Sequence, residues 1–256
     1  MKRVNELLQS LQGQVERHPV GQLKLPREAL EDFAIAQHRD SDVWLGWFIK
    51  MMDMAKNPVL KTALAHNFLD EAGAIEGKVG GGVSHMTLCL RFLRSLGLQP
   101  GDTVAKGRFP VSDHAEALIQ LIPAMSEAEV AGWVLGTEEL VPALFGLFLP
   151  HFQTLGGVDT EYLTAHIQVD VGDHAIEMKK GCAALLEADP TCLDEILVGI
   201  HLAGRFTFAV PDMIRVGYVN KGMSSLAIPK RRSIVSARAK ALLEMMPHNP
   251  ERNGGC

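Results

Sequence analysis

Apolar residues recur at spacings of three and four along most of the chain, and this spacing constrains the fold more than any other feature. In LPREALEDFAIAQHRDSDVWLGWFIKMMDMAK the series includes Leu30, Phe33, Trp44 and Trp47. Such spacing puts the apolar side chains on one face of a helix. Runs of alternating β-branched residues, which are typical of strands, are absent from the sequence. The chain is therefore predicted to form a single all-α bundle of seven to eight helices.

Local signals predict where several helices begin and end. The helix within NPVLKTALAHNFLDEAG is predicted to stop near Gly73, and Ser84 is a favourable N-cap for the helix that follows. The segment KVGGGVS between them is predicted to be a flexible break. Further along, DTEYLTAHIQVDVGDHAIEMKKGCAALLEA is predicted to form one long helix.

The composition is that of a soluble globular protein, with 47% apolar residues, 21% charged residues and a formal net charge of −5. No basic block precedes Lys230–Arg232, so a nucleic-acid partner is not expected. A membrane partner is not expected either, because the Met1 end has no hydrophobic signal segment and no uninterrupted apolar run reaches about 18 residues. The four cysteines have no CxxC spacing, which is typical of thiols in a reducing compartment. A cytoplasmic location is therefore expected.

The stretch HIQVDVGDHAIEM concentrates ionisable side chains within an apolar segment. His166, Asp170 and His174 are spaced by four residues and lie on one broad helical face, and Asp173 lies almost directly over His166. The apolar residues between them indicate that this face is partly buried. A buried carboxylate beside two imidazoles needs a counter-charge. A divalent metal ion would supply that charge, so the stretch predicts a metal site.

Further ligands are expected from neighbouring helices. Glu71 and His85 lie on either side of the glycine-rich break, and on an uninterrupted helix they would be about 21 Å apart. If the chain folds back at the break, the two side chains can meet at one metal centre. His66 and Glu76 are alternative ligands in the same region.

An acidic residue is unexpected inside the apolar helix AGWVLGTEELVPALFGLF, which makes Glu138 a candidate ligand and Glu139 its alternative. Pro142 would interrupt the helical hydrogen bonds around Glu138, as often happens at functional sites. The candidate ligands are then imidazoles and carboxylates without a thiolate. This set suits iron or manganese, and two carboxylates able to bridge suit a pair of ions better than one zinc ion.

Several segments together resemble the haem-oxygenase-like di-iron oxidases and oxygenases, which are related in fold to pyrroloquinoline-quinone synthase and thiaminase-type proteins. These segments are HPVGQLKLPREALEDFAIAQ, NFLDEAG with SHMTLCLRFLRSLGL, LGTEELVPALF and HIQVDVGDHA. The order and approximate spacing of the last three are similar to the metal motifs of that family. The resemblance implies a haem-oxygenase-like fold and a set of metal ligands, namely Glu71, His85, Glu138, His166, Asp170 and His174.

The chain departs from the family pattern in two spacings. Three residues, where the family usually has two, separate Asp170 from His174. Either the helix carries a one-residue bulge at this point, or Asp173 replaces Asp170 as the ligand. The gap from Glu71 to His85 is also a few residues longer than usual.

The resemblance implies a non-haem enzyme that binds two Fe(II) ions and uses O2 as a co-substrate to oxidise a small organic molecule. Substrates in the family derive from amino acids, amines or fatty acids, and the reactions include N-oxygenation, desaturation and C–C cleavage. Residues 1–222 would form the haem-oxygenase-like di-iron domain, and residues 223–256 a basic, partly disordered C-terminal tail. Homodimers are common among similar proteins.

Two alternatives remain open from the sequence. A metal-free enzyme on the same fold would use His166 and His174 as acid–base groups in a cofactor-independent oxidation. A non-catalytic helical interaction protein would carry the acidic cluster without using it. For an enzyme, Arg205 is a candidate to bind a substrate carboxylate, with a position on the helix surface as its alternative. The aromatic residues that could line a pocket are Trp44, Phe48, Phe145, Phe206 and Phe208.

Overall fold

A computed structural model describes residues 1–74, 82–100, 121–169 and 173–219. In these ranges the chain forms eight α-helices and no β-strand, which confirms the predicted all-α class. The helices are α1 (Lys2–Glu16), α2 (Arg27–Met54), α3 (Pro58–Glu71), α4 (His85–Ser95), α5 (Glu127–Gln153), α6 (Glu161–Val169), α7 (Ala175–Ala188) and α8 (Leu193–Ile214). A short π-helix follows α8.

Helices α5 and α8 form the centre of the bundle and cross at very short distance. A Cβ atom added to Gly132 would lie 2.0 Å from the carbonyl oxygen of Ile196, and one added to Gly199 would lie 2.0 Å from that of Glu129. Because each of these backbones occupies the space of a side chain, only glycine fits at either position. The crossing therefore holds α5, which also carries Glu138, tightly against α8.

Helix α5 begins in a capping box. Ser126 Oγ accepts a hydrogen bond from the backbone N–H of Glu129, and the Glu129 carboxylate accepts one from the backbone N–H of Ser126. The helix continues through Pro142, which has no N–H to donate to the carbonyl of Glu138. By length and composition α5 could span a membrane, but 72% of its most apolar stretch is buried inside the fold. Its apolar character matches its place at the centre of the core.

Helix α1 packs on α5 and α8. The chain then turns through a short 3-10 helix, Pro19–Gln22, which His18 caps by accepting a hydrogen bond from the Val20 N–H. His18 is buried, and its Nε2 lies 3.1 Å from Oδ1 of Asp212 on α8. This pair ties the turn after α1 to the last part of α8.

The turn between α3 and α4 brings the ends of these two helices together. Helix α3 ends at Glu71, and Gly73 follows with a φ angle of +73°, a left-handed conformation that favours glycine. A Cβ on Gly73 would lie 2.4 Å from the backbone nitrogen of Ser84, so the chain returns to the end of α3. Ser84 caps α4 by accepting a hydrogen bond from the Thr87 N–H. The predicted helix end and N-cap are confirmed, and residues 75–81 lie outside the described residues.

Within the segment predicted as one long helix, the described residues form α6 and α7. Asp173 and His174, immediately before α7, have π-helical geometry, which accommodates one extra residue in a helical turn. A one-residue bulge is one of the two predicted explanations for the long spacing between Asp170 and His174. Residues 170–172, and the predicted tail 223–256, lie outside the described residues.

Candidate metal centre

The structure brings five of the predicted ligands into one buried region. These are Glu71, His85, Glu138, His166 and His174, with exposed fractions between 2% and 8%. Glu71 is the last residue of α3 and His85 is the first residue of α4, so the turn at Gly73 brings them together. Central helix α5 contributes Glu138, α6 contributes His166, and His174 immediately precedes α7.

Glu71, His85 and His166 form the tightest part of this cluster. One ligand atom from each residue lies within 4.8 Å of the other two. Oε2 of Glu71 is 2.8 Å from Nδ1 of His85, and the ring centroids of His85 and His166 are 4.3 Å apart. Two imidazoles with one carboxylate are the donor set of many non-haem Fe(II) oxygenases. These three residues could therefore hold one metal ion.

His166 is oriented by its own helix. Its Nδ1 lies 2.8 Å from the carbonyl oxygen of Tyr162, one turn earlier. A carbonyl only accepts, so Nδ1 carries the proton and donates it, and Nε2 keeps a lone pair. Burial, followed by the neighbouring imidazole of His85, lowers the pKa of His166 to about 3. The ring is therefore neutral at neutral pH, which is the form that binds a metal ion.

The carboxyl group of Glu71 is also in its metal-binding form. Burial would raise its pKa, but the imidazole of His85, followed by those of His166 and His174, lowers the pKa to about 2. Glu71 is thus a buried anion at neutral pH. In addition to the imidazole of His85, a cation bound beside Glu71 and the neutral His166 would compensate this charge.

His174 forms the second part of the cluster. Its Nδ1 lies 3.3 Å from Oε2 of Glu138, and its Nε2 lies 2.7 Å from Oδ2 of Asp70. Asp70 is buried as well, and it is not among the ligands predicted from the sequence. A carboxylate on the far nitrogen of a metal-binding histidine fixes the ring and raises its basicity. Asp70 can therefore orient His174. The Nδ1 atom of His174 and the carboxylate of Glu138 then form a second pair of possible metal donors.

Of the two aspartates in the stretch HIQVDVGDHAIEM, the structure describes only Asp173. Asp170 lies outside the described residues, and its predicted role as a ligand stays a prediction. Asp173 is exposed to solvent, whereas the adjacent His174 is buried. Because it is exposed to solvent, the side chain of Asp173 does not belong to the buried cluster.

The other alternative ligands have different surroundings. His66 is half exposed, and its Nδ1 lies 2.7 Å from Oε2 of Glu177. Glu139, next to Glu138 in sequence, forms an ion pair with Lys179. Glu76 lies outside the described residues. In the described part of the chain, neither His66 nor Glu139 belongs to the group of three that could hold a metal ion.

A cavity adjoins the cluster, with about 530 Å³ of empty space that includes open solvent. Glu71, Glu138 and His166 line it. Its other lining includes five aromatic side chains, those of Trp44, Trp47, Phe145, Tyr162 and Phe206. Trp44, Phe145 and Phe206 are among the predicted wall residues, whereas Phe48 and Phe208 are buried in the core. The cavity thus connects a space for a substrate with the candidate ligands.

The chemistry of the donor set fits iron. Three imidazoles and two carboxylates meet in one buried place, and mixed nitrogen and oxygen donors without a thiolate suit iron and manganese. One imidazole is held in the tautomer that leaves a ring nitrogen available, and one carboxylate is ionised. Both features are what a divalent ion requires of its ligands.

The sequence matches a known family over most of its length. Residues 27–206 match the model of a protein family described as iron-containing redox enzymes. The matched range starts at α2, ends within α8 and includes all five clustered residues. Among curated proteins, none matches the sequence.

Several solved structures have a similar fold. A CADD-like protein of unknown function from Nostoc punctiforme PCC 73102 has a TM-score of 0.65 at 15% identity, over 85% of this chain and 99% of that chain. A domain of unknown function with a haem-oxygenase-like fold from Shewanella denitrificans OS217 has a TM-score of 0.65 at 13% identity, over 88% and 94%. A TenA homolog from Pseudomonas syringae pv. tomato str. DC3000 has a TM-score of 0.58 at 14% identity, over 82% and 91%. These similarities establish the haem-oxygenase-like fold.

Proposed function

This chain belongs to the family of iron-containing redox enzymes, and we propose that it is an O2-dependent oxidase or oxygenase whose buried cluster binds two Fe(II) ions. The substrate would be a small organic molecule that occupies the adjoining cavity. One observation carries the proposal: three imidazoles and two carboxylates converge beside a cavity lined by aromatic side chains. An isolated buried histidine or acid would not support it.

Glu71, His85 and His166 would hold one ion, because their ligand atoms already lie within 4.8 Å of one another. Glu138 and His174 would contribute to the second ion. When bound, iron supplies the redox chemistry and a binding position for O2. Two carboxylates within one cluster also allow a ligand to be shared between ions, as in other di-iron carboxylate proteins.

Asp170 would be a further ligand of the second ion. The exposure of Asp173 argues against that residue, and the π-helical geometry at Asp173 and His174 supports a one-residue bulge. With a bulge, Asp170 and His174 can serve one site despite the extra residue between them.

The chain's own residues would prepare the site before substrate binds. The Tyr162 carbonyl keeps the proton of His166 on Nδ1, and the Asp70 carboxylate holds the Nε2 side of His174. Each contact fixes the orientation of one imidazole ring, so that its other ring nitrogen can bind a metal ion. Phe145 packs edge-on to His166 with ring centroids 5.1 Å apart, so its ring covers part of the imidazole.

Iron binding and O2 uptake test the proposal. Protein loaded with Fe(II) without O2 and then desalted should retain about two irons per chain, and it should consume O2 when O2 is admitted. Glu138→Gln keeps the shape of the side chain but removes its charge, so it should lower the iron content by half or more. Glu139→Gln is the matched control, because the neighbouring acid is paired with Lys179.

Two results would contradict the proposal. Wild-type protein that retains almost no iron would favour a metal-free oxidase or a non-catalytic protein. Equal iron content in the Glu138→Gln and Glu139→Gln variants would show that Glu138 is not a ligand.

A further inference from the structure

One carboxyl group in the cavity has no role in the proposed metal centre. Asp40 lies on α2 and lines the cavity together with Glu71 and Glu138. Its Oδ1 is shielded from solvent, and within the described part of the chain no group forms a hydrogen bond with this atom. A buried carboxyl oxygen without a partner is costly, and a ligand that supplies the partner would remove the cost.

The surroundings of Asp40 favour a positively charged partner. Trp44 lies one turn further along α2 and lines the same cavity, as do Trp47 and Phe206. Faces of aromatic rings attract cations through their negative electrostatic potential. A carboxyl group beside such rings is therefore suited to receive an ammonium group, with the apolar part of the ligand against the ring walls.

A negatively charged substrate has less support in the same cavity. Among the described residues that line it, none is a lysine or an arginine. Arg205, the sequence candidate for binding a substrate carboxylate, is exposed and is not part of the lining. Arg39, next to Asp40 in sequence, is not part of the lining either. Apart from the proposed iron ions, a carboxylate in the cavity would find no lysine or arginine side chain as a partner.

We propose that Asp40 anchors the substrate and that the substrate carries a protonated amine on an apolar body. This inference rests on the proposed function, since it names the substrate class of the same cavity. Burial raises the pKa of the Asp40 carboxyl well above its ordinary value, although the charge of Arg39 opposes the shift. A bound ammonium group would favour the ionised form and so replace the solvation that burial removes.

Probe binding tests the proposal without turnover. Hexylammonium, hexanol and hexanoate share one chain length and differ in charge, and each can be titrated by calorimetry into Fe(II)-loaded protein kept free of O2. Wild-type protein should bind hexylammonium at least tenfold more tightly than hexanol, and more tightly than hexanoate. This comparison needs no variant, so it holds even if a substitution disturbs folding.

Asp40→Asn is the direct variant, because it keeps the size of the side chain and removes the charge. It should weaken hexylammonium binding at least tenfold and leave hexanol binding unchanged. Asp42→Asn is the matched control, since it removes the same charge from an exposed position on the same helix. It should bind all three probes as the wild type does.

Trp44→Leu separates the contribution of the ring from that of the carboxyl group. It keeps an apolar wall but removes the aromatic face, so hexylammonium binding should weaken about threefold to tenfold while hexanol binding changes less. Equal losses for both probes would indicate packing alone.

The outcomes separate this inference from the proposed function. Tighter binding of hexanoate, or hexylammonium binding that is unaffected by Asp40→Asn, would overturn the substrate class even if the protein holds two irons. Conversely, Asp40-dependent binding of hexylammonium to protein that retains no iron would support the amine site and reject the iron enzyme. Iron content is therefore measured in every sample used for titration.

Discussion

Buried histidines pair with carboxylates in two separate regions of this bundle, and the two regions use the imidazole differently. At His18, Nδ1 accepts a hydrogen bond from the Val20 N–H, so Nε2 carries the proton and donates it to Asp212. Both ring nitrogens are thus occupied within the protein. At His166, Nδ1 donates to the carbonyl of Tyr162, and Nε2 keeps its lone pair.

The comparison shows which observation indicates a metal site. Burial and a nearby carboxylate are common to both regions, so neither is diagnostic. The difference lies in the lone pair and in the number of donors that converge, since His166 is accompanied by Glu71 and His85 within 4.8 Å. The pair of His18 and Asp212 has the features of a structural contact, and the cluster around His166 has those of a binding site.

The largest expected effect is the difference in iron affinity between variants of His166 and variants of His18. His166→Ala removes a proposed direct ligand, so Fe(II) affinity should fall by a factor of about 100 or more, measured by competition with a chelator. The metal-free protein should lose only about 1–2 kcal/mol of unfolding free energy, because one hydrogen bond and modest packing are removed. Unchanged iron affinity would remove His166 from the ligand set.

The reverse pattern is expected for His18→Ala. Loss of the hydrogen bond to Asp212 should lower the unfolding free energy by about 2–3 kcal/mol, measured by urea denaturation. Arg215 stays 3.6 Å from Asp212, which keeps the cost below that of leaving a buried charge unpaired. Iron bound per folded chain should equal the wild-type value. A variant that is as stable as the wild type but binds less iron would show that His18 contributes to metal binding by the cluster.

Much of the fold could be predicted because its signals are local. The end of α3 near Gly73 and the cap at Ser84 depend on residues within one or two turns, and both predictions are confirmed. Helix α1 was not singled out, although Val4, Leu8 and Val15 have helical spacing and are buried. The π-helical geometry at Asp173 and His174 could not be located from periodicity, since a π-helical turn changes the spacing by one residue without a characteristic residue type.

The candidate site was less accessible from the sequence, because tertiary contacts create it. The approach of Glu71 to His85 was anticipated only as a consequence of the glycine-rich break. Asp70 was missed, since an acid next to Glu71 has no local pattern that separates it from an exposed helix-end residue. Its contact with His174 joins positions 104 residues apart. The pair of His18 and Asp212, 194 residues apart, was missed for the same reason.

The smallest expected effect comes from a comparison of Asp70 and Asp212, the two carboxylates that contact buried histidines. Asp70→Asn can still accept a hydrogen bond from Nε2 of His174 but no longer provides a charge, so iron affinity should fall about tenfold, with the unfolding free energy of the metal-free protein nearly unchanged. Asp212→Asn makes the same chemical change beside His18 but also removes the charge that faces Arg215, so it should reduce stability while leaving iron affinity intact. If both variants lost iron in proportion to their loss of stability, iron binding would report only the fraction of folded protein. The distinction between a positioning contact at His174 and a structural contact at His18 would then fail.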